Sequence, residues 1–165
     1  VAVAWADAAP QEIDACVLGS TSLRPVSPFY QRLRPAAWPL LLQMALGKAT
    51  PRATEQSILK LTSAHLQKTL CVLDDWTAWR ITQPVSRSNA LRQLLAAMRF
   101  SAPRQKPATK LLLLAGAKDT LVDARCSKSL AQAWQCALAE HPSAGHDLPL
   151  DDPHWVVQQV QQWLV

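Results

Sequence analysis

Two side chains in the last third of the sequence are of the types that perform acid–base chemistry, and each follows an apolar run. Asp119 stands just after residues 110–115, and His146 just after residues 136–140. A histidine that acts as a general base needs a carboxylate on its other ring nitrogen, which fixes its tautomer. We therefore expect Asp119 and His146 to meet as a hydrogen-bonded pair.

The elements that would position this pair are short apolar runs bounded by turn residues. Such runs are typical of buried strands, and three of the four glycines stand at or shortly after their ends. Helical patterns separate the runs, and strands that alternate with helices form parallel sheets, which bind ligands at one edge. The predicted strands are residues 13–18, 110–115 and 136–140.

Caps and apolar spacing predict the helices. Residues 1–10 fit a helix, and Thr50 followed by Pro51 opens a second one. Asp152 can cap the last helix, because Pro153 suits its first position and apolar residues then recur at helical intervals. This last helix is expected to pack one face on the sheet.

The segment from Lys110 to the chain end combines a G-x-x-D turn, an S-A-G-H-D turn and a closing amphipathic helix. In this combination it resembles the C-terminal end of the α/β-hydrolase superfamily. In that family a nucleophile comes first in the chain, then an acid, then a histidine. The resemblance implies that Asp119 is the acid and His146 the base of a catalytic triad.

The resemblance extends over most of the chain. Residues 1–10 resemble the helix after the nucleophile, 13–18 the next strand, and 19–24 the loop that leaves for a lid. Residues 24–107 contain no convincing strand, and an all-helical insertion between parallel strands is typical of a lid. We therefore expect an α/β fold: a partial α/β-hydrolase with three parallel strands, flanking helices and a helical lid insertion. The predicted core is 1–23 and 108–165, and the predicted lid is 24–107.

The nucleophile is the part of the triad that the sequence does not supply. No G-x-S-x-G occurs, and the resemblance places that turn immediately before Val1. Ser20 and Ser22 lack the flanking glycines of such a turn, and Ser143 is too close to His146 in sequence. We therefore expect the chain to be a fragment, or the product of a truncated gene, that is inactive alone.

Simpler interpretations exist for the candidate residues. An aspartate after a strand is most often a turn former or a helix cap, and we expect the rival acid Asp123 to be such a cap. His65 and His141 are expected to have no chemical task. A cluster near the C-terminus matches no metal-site spacing, so we expect neither a metal nor a cofactor. That cluster comprises His146, Asp147, Asp151, Asp152 and His154.

Seven tryptophans are many for 165 residues, and three of them fall in the predicted lid. Core packing accounts for most such residues. Lids also close over the apolar part of a substrate, so Trp38, Trp76 and Trp79 are candidates for lining an acyl pocket. Ser20, which follows the first strand, is a fourth candidate for contact with substrate.

The net charge of +5 is unevenly distributed. Residues 24–110 contain fourteen basic and three acidic side chains, whereas the rest contains three basic and nine acidic ones. This excess is typical of a solvated face, or of a surface that attracts an acidic carrier protein or a coenzyme thioester. No nucleic-acid-binding motif occurs. With no membrane-spanning run and no signal-peptide pattern, the expected location is cytoplasmic.

Two functions follow from these observations. The first is part of a serine hydrolase that acts on an ester, a thioester or a related acyl bond of a small molecule. The second is a non-catalytic binding module whose basic lid holds an acidic partner. The resemblance leaves the bond type open, because carbon–carbon bond hydrolysis and cofactor-free haloperoxidation use the same triad on this fold.

Overall fold

The structure, a computed structural model, describes residues 1–46 and 49–165 of the chain. At its centre lies a three-stranded parallel sheet, as the sequence predicts, and its strand order is β1-β2-β3. The central strand contains four consecutive leucines, a composition that suits a strand covered on both faces. The strands are β1 (Ala15–Gly19), β2 (Lys110–Gly116) and β3 (Ala137–His141).

The strand boundaries differ slightly from the prediction. β1 begins two residues later than predicted, because the Ile13 N–H donates to the Pro10 carbonyl in a 3-10 turn. β3 begins one residue later, because the Cys136 N–H donates to the Ala131 carbonyl and closes the preceding helix. All three strands also end one residue later than predicted.

Ten helices are present in the described ranges, and the predicted ones are among them. The first is shorter than the predicted 1–10, because a separate 3-10 turn begins at Pro10. The helices are α1 (Ala2–Ala8), α2 (Phe29–Arg32), α3 (Trp38–Leu46), α4 (Pro51–Thr62), α5 (Leu66–Thr69), α6 (Leu73–Thr82), α7 (Arg87–Arg99), α8 (Arg125–Trp134), α9 (Leu148–Asp151) and α10 (Pro153–Leu164).

The side chains of β2 alternate between two buried clusters, one on each face of the sheet. Leu111 and Leu113 pack with β1, α1 and α8, whereas Leu112 and Leu114 pack with α9 and α10. Each fully buried leucine stabilises the fold by about 1.5–3 kcal/mol relative to an exposed one. α10 therefore covers the sheet with one face, as predicted.

Two predicted helix caps are present. The Thr50 side chain accepts a hydrogen bond from the Ala53 N–H at the start of α4. The Asp152 side chain accepts one from the Trp155 N–H at the start of α10. Each bond satisfies an N–H that has no partner inside the helix, and each is worth about 1 kcal/mol.

Residues 24–107, here called the insertion, contain helices and no strand in the part that the structure describes. α4 packs against α6, and two ion pairs join them, Arg52 with Asp74 and Arg80 with Glu55. None of the described helices combines the length and the apolar character needed to cross a bilayer. The domain boundaries and the function of the insertion as a lid stay predictions.

Candidate active site

Asp119 lies in the turn that follows β2, and its side chain is almost completely buried, with 3% exposed. Its Oδ1 accepts hydrogen bonds from the N–H groups of Leu121 and Val122, each at 2.8 Å. Its Oδ2 faces His146. The two backbone donors fix the carboxylate in one orientation, because rotation about its last bond would break both contacts.

His146 lies in the turn that follows β3, and its Nδ1 is 2.8 Å from Asp119 Oδ2. Because a carboxylate oxygen accepts, the network assigns the proton to Nδ1, which donates it. Within the described ranges no hydrogen bond reaches Nε2, and the side chain is 27% exposed. The ring therefore presents Nε2 as a free acceptor for a proton.

Ser20 also binds the turn that carries His146. Its Oγ donates to the His146 carbonyl at 2.6 Å, and its N–H donates to the Leu114 carbonyl at 2.8 Å. Its φ of 46° lies in the left-handed region, which a serine seldom adopts. The structure thus links Ser20 to the turn of His146, and contact of Ser20 with substrate stays a prediction.

Two glycines allow the turns to approach each other closely. A Cβ on Gly116 would lie 2.2 Å from the Gly145 carbonyl oxygen and 2.4 Å from that of Ala144. A Cβ on Gly145 would lie 2.7 Å from the Thr62 carbonyl oxygen. A larger residue at position 116 would push the turn of His146 away from the end of β2, and one at position 145 would push it away from residues 62–64.

Several solved structures have a backbone fold similar to that of this chain. A 2-hydroxy-6-oxo-6-phenylhexa-2,4-dienoate hydrolase from Rhodococcus sp. strain RHA1 matches with a TM-score of 0.72 at 14% identity. A thermophilic esterase from Thermogutta terrifontis matches with a TM-score of 0.68 at 19% identity, and a hydrolase from Pseudomonas aeruginosa with 0.68 at 22%. This chain has the α/β-hydrolase fold.

The first of these α/β-hydrolase alignments covers 99% of this chain and 59% of the Rhodococcus enzyme. The shares are 99% and 60% for the esterase, and 98% and 59% for the Pseudomonas hydrolase. The chain therefore spans less than two thirds of the length of these proteins. No protein-family model matches the chain, and no curated protein matches it. At such low identities the likeness establishes the fold alone.

The insertion of this α/β-hydrolase fold contacts the turn of Asp119 at two places. Arg34 Nη1 donates to the Asp119 carbonyl at 2.9 Å, and the Arg34 N–H donates to the Leu121 carbonyl at 2.9 Å. Farther along the insertion, the Leu61 carbonyl accepts from Thr120 Oγ1 at 2.7 Å. The sequence offered no signal for these contacts, because their partners lie 59 to 87 positions apart.

His141, which was expected to have no chemical task, has a structural one. It is buried at the end of β3, and its Nδ1 accepts from the N–H groups of Ser143 and Ala144 at 3.2 and 2.8 Å. Its Nε2 therefore carries the proton and faces Asp152 Oδ2 at 3.2 Å. These bonds shape the turn that leads to His146. The hydrogen bond from the Trp155 N–H and that from His141 lower the pKa of Asp152.

Asp123 does not take the acid position of the site. Its carboxylate faces the Arg125 guanidinium at 2.7 Å and also accepts from the Arg125 N–H. The side-chain hydrogen bond from Arg125 is the main cause that lowers the pKa of Asp123 to about 2. Asp123 thereby caps α8 as predicted, because Arg125 is the first residue of that helix, although the residue directly before the helix is Ala124.

The C-terminal cluster of histidines and carboxylates does not form a metal site in the described ranges, where no group of three potential ligands comes together. Its members point to different partners. Asp152 caps α10 and pairs with His141, Asp151 binds backbone N–H groups, and His146 binds Asp119.

The three candidate tryptophans of the insertion occupy different places. Trp76 and Trp79 lie on α6 and line a cavity of about 520 Å³ whose wall includes the ion pair of Glu55 and Arg80. Neither Asp119 nor His146 lines this cavity. Trp38 begins α3 and is 46% exposed. Contact of these side chains with substrate stays a prediction.

Proposed function

We propose that this chain contributes the base, His146, and the acid, Asp119, to the active site of a serine hydrolase. The observation that carries the proposal is the 2.8 Å contact between a buried carboxylate and an imidazole whose Nε2 is unbound within the described ranges. The reaction is hydrolysis of an ester, a thioester or a related acyl bond of a small molecule.

In the proposed mechanism a serine attacks the acyl carbon while His146 Nε2 accepts its proton. Asp119 holds the ring through Nδ1 and stabilises the imidazolium that forms. The imidazolium then donates the proton to the leaving group, and a water molecule repeats the sequence to release the acid product. The two steps in which His146 accepts a proton, from the serine and later from water, need an unprotonated Nε2, which is the tautomer that the carboxylate imposes.

We propose that the nucleophile lies outside these 165 residues, on a segment N-terminal to Val1. Three observations support this position. The sequence contains no G-x-S-x-G. β1 pairs with β2 alone among the described strands, which leaves one edge open to a further strand. The similar hydrolases are longer than this chain, which covers 59% or 60% of each.

The experiment begins with the coding sequence upstream of Val1, where an in-frame G-x-S-x-G is expected. The product of the extended reading frame is then assayed with p-nitrophenyl esters of increasing acyl length. His146→Ala should lower kcat by a factor of about 10² to 10⁴, the range that a general base contributes. His154→Ala is the matched control, because His154 is exposed and lies only eight positions away. Equal turnover of the wild type and His146→Ala would refute the assignment.

A second candidate function is a binding module whose basic insertion holds an acidic carrier protein. The charge of the insertion favours it, because two of the three acidic side chains in residues 24–110 already pair with arginines. A start codon directly before Val1 and salt-sensitive binding of an acidic protein would favour this function. An upstream G-x-S-x-G and loss of turnover in His146→Ala would favour the hydrolase.

A further inference from the structure

The insertion contacts both turns that carry the catalytic pair, through the residues that follow Asp119 and His146 in the chain. The Leu61 carbonyl accepts from Thr120 Oγ1 at 2.7 Å. The Thr62 carbonyl accepts from the Asp147 N–H at 2.9 Å. Residues 61–64, here called the insertion root, therefore bridge the turn of the acid and the turn of the base.

Asp151, at the end of α9, fastens the insertion root to the turn of the base. Its Oδ2 accepts from the Gly145 N–H at 2.6 Å and from the Ala64 N–H at 3.0 Å. Its Oδ1 accepts from Ser63 Oγ at 2.5 Å. One carboxylate thus joins three donors from two segments that lie more than 80 positions apart in the sequence.

The contact with Gly145 reaches the base directly, because Gly145 immediately precedes His146. A Cβ on Gly145 would lie 2.7 Å from the Thr62 carbonyl oxygen and 2.8 Å from the Ala64 nitrogen. The backbones are therefore as close as a glycine permits, and the turn of the base has no room to move towards the insertion root. Movement away from the root would break the bond to Asp151.

The chemical environment of Asp151 suits an acceptor of several hydrogen bonds. Burial by itself raises the pKa of this carboxyl group, but the hydrogen bonds from Ser63, Gly145 and Ala64 outweigh it and lower the pKa below its usual value. His65 lies near enough to lower the pKa further. Charge-assisted bonds of this kind are shorter and stronger than neutral ones.

We propose that Asp151 is a positioning residue of the active site, which holds His146 in line with Asp119 by fastening Gly145 to the insertion root. This inference rests on the proposed function as far as turnover is concerned. The positioning itself concerns the His146 ring and is measurable without turnover. The hydrogen bonds of the Asp151 side chain go to Ser63, Ala64 and Gly145, so it acts on His146 through the backbone of the turn.

A purely structural function of Asp151 predicts a different outcome. If the carboxylate only stabilised the end of α9 or the docking of the insertion, its loss would lower Tm but leave the His146 ring unchanged in the folded molecule. A positioning function predicts a change in the ring itself, in its Nδ1 proton and in its titration. Any measurement that observes His146 in folded protein therefore distinguishes the positioning function from the purely structural one.

The decisive variant is Asp151→Asn, which keeps the size of the side chain but replaces one acceptor oxygen by a donor. Asp75→Asn is the matched control, because Asp75 is exposed on α6 and the substitution changes the charge equally. Asp151→Glu tests rescue by a longer carboxylate. Ser63→Ala removes one donor and keeps the acid, so it serves as the second variant if Asp151→Asn does not fold.

The primary measurement is the NMR signal of the His146 Nδ1 proton and the pKa of the ring, in folded protein that contains this chain. We expect Asp151→Asn to shift or lose that proton and to change the ring pKa, Ser63→Ala to do so less, and Asp75→Asn to match the wild type. An unchanged Nδ1 proton and ring pKa in folded Asp151→Asn and Ser63→Ala would overturn the inference.

Turnover gives an independent second measurement. In the active protein, Asp151→Asn should lower kcat by about tenfold or more with little change in KM, because small misplacements of a catalytic group are costly. The pH at which kcat reaches half its maximum should shift with the ring pKa, and Asp151→Glu should restore part of the rate. A protein that hydrolyses neither esters, thioesters nor related acyl bonds would refute the proposed function, whereas the NMR measurement would still decide the inference.

Discussion

Replacement of Asp119 by asparagine tests the catalytic pair without emptying the site. Asp119 Oδ1 accepts from two backbone N–H groups, and Oδ2 accepts from His146 Nδ1. An asparagine keeps an oxygen for the backbone donors and turns its NH₂ group towards the imidazole. The ring then has to accept at Nδ1, so its proton moves to Nε2. A ring in that tautomer cannot take the proton of the nucleophile.

The size of the effect follows from this geometry. The wrong tautomer lowers kcat by about 10⁴-fold when the rest of a triad stays in place. At about 1.36 kcal/mol for each factor of ten, this loss corresponds to about 5 kcal/mol of transition-state stabilisation. The fold should change much less, because both backbone bonds remain. We expect the free energy of unfolding to differ from that of the wild type by less than about 1.5 kcal/mol.

The assay compares initial rates of p-nitrophenyl ester hydrolysis and thermal unfolding for the wild type, Asp119→Asn and Asp123→Asn. Asp123 is the control, since it pairs with Arg125 and lies outside the catalytic pair. We expect the first variant to lose about four orders of magnitude in kcat at nearly unchanged Tm and the second to stay within about threefold of the wild type. A folded Asp119→Asn protein within tenfold of the wild type, or an equal loss in both variants, would refute the reasoning.

Two further predictions concern stability. Gly116→Ala places a Cβ 2.2 Å from the Gly145 carbonyl oxygen, so the free energy of unfolding measured in urea should fall by about 1–3 kcal/mol or more. Gly19→Ala is the control, because no atom lies within 4 Å of its Cβ, and its free energy of unfolding should differ from that of the wild type by less than about 1 kcal/mol. The hydrogen bond from Arg125 lowers the pKa of Asp123 from 3.8 to about 2, so the pair stabilises the fold fully above pH 3.8 and loses this effect as the pH falls through about 2. The difference in Tm between the wild type and Arg125→Gln should therefore shrink on acidification, and a constant difference would contradict the assignment.

The approach of Asp119 and His146 could be predicted because both follow apolar strands of one parallel sheet. Parallel strands bring the residues after their carboxyl ends to one edge, so the order of the elements is sufficient to place the two turns together. The four consecutive leucines of β2 indicate a central strand, because only a strand that is buried on both faces accommodates an unbroken run of apolar side chains.

The contacts that fix the turns could not be predicted in this way. Asp151 and Ser20 bind groups that lie 87 and 126 positions away, and no periodicity relates such partners. Asp151 looked like one member of an acidic cluster, and Ser20 like the lining of a pocket. Apart from Ser63 Oγ, their partners are backbone groups, which carry no signal in the sequence. The positive φ of Ser20 could not be predicted either, because a positive φ is expected for glycine and seldom for serine.

The same contacts limit how the insertion can act as a lid. Its root is bonded to the turns of both Asp119 and His146, through the carbonyls of Leu61 and Thr62. A hinge at the root would therefore displace the catalytic pair whenever the lid opened. If the insertion opens to admit substrate, its moving part lies beyond the root in α7, because packing and two ion pairs join α6 to α4, which ends in the root. α7 fits this requirement, because its apolar side chains Leu91, Leu94 and Met98 are about half exposed. The root would then keep the pair aligned in the open and the closed states alike.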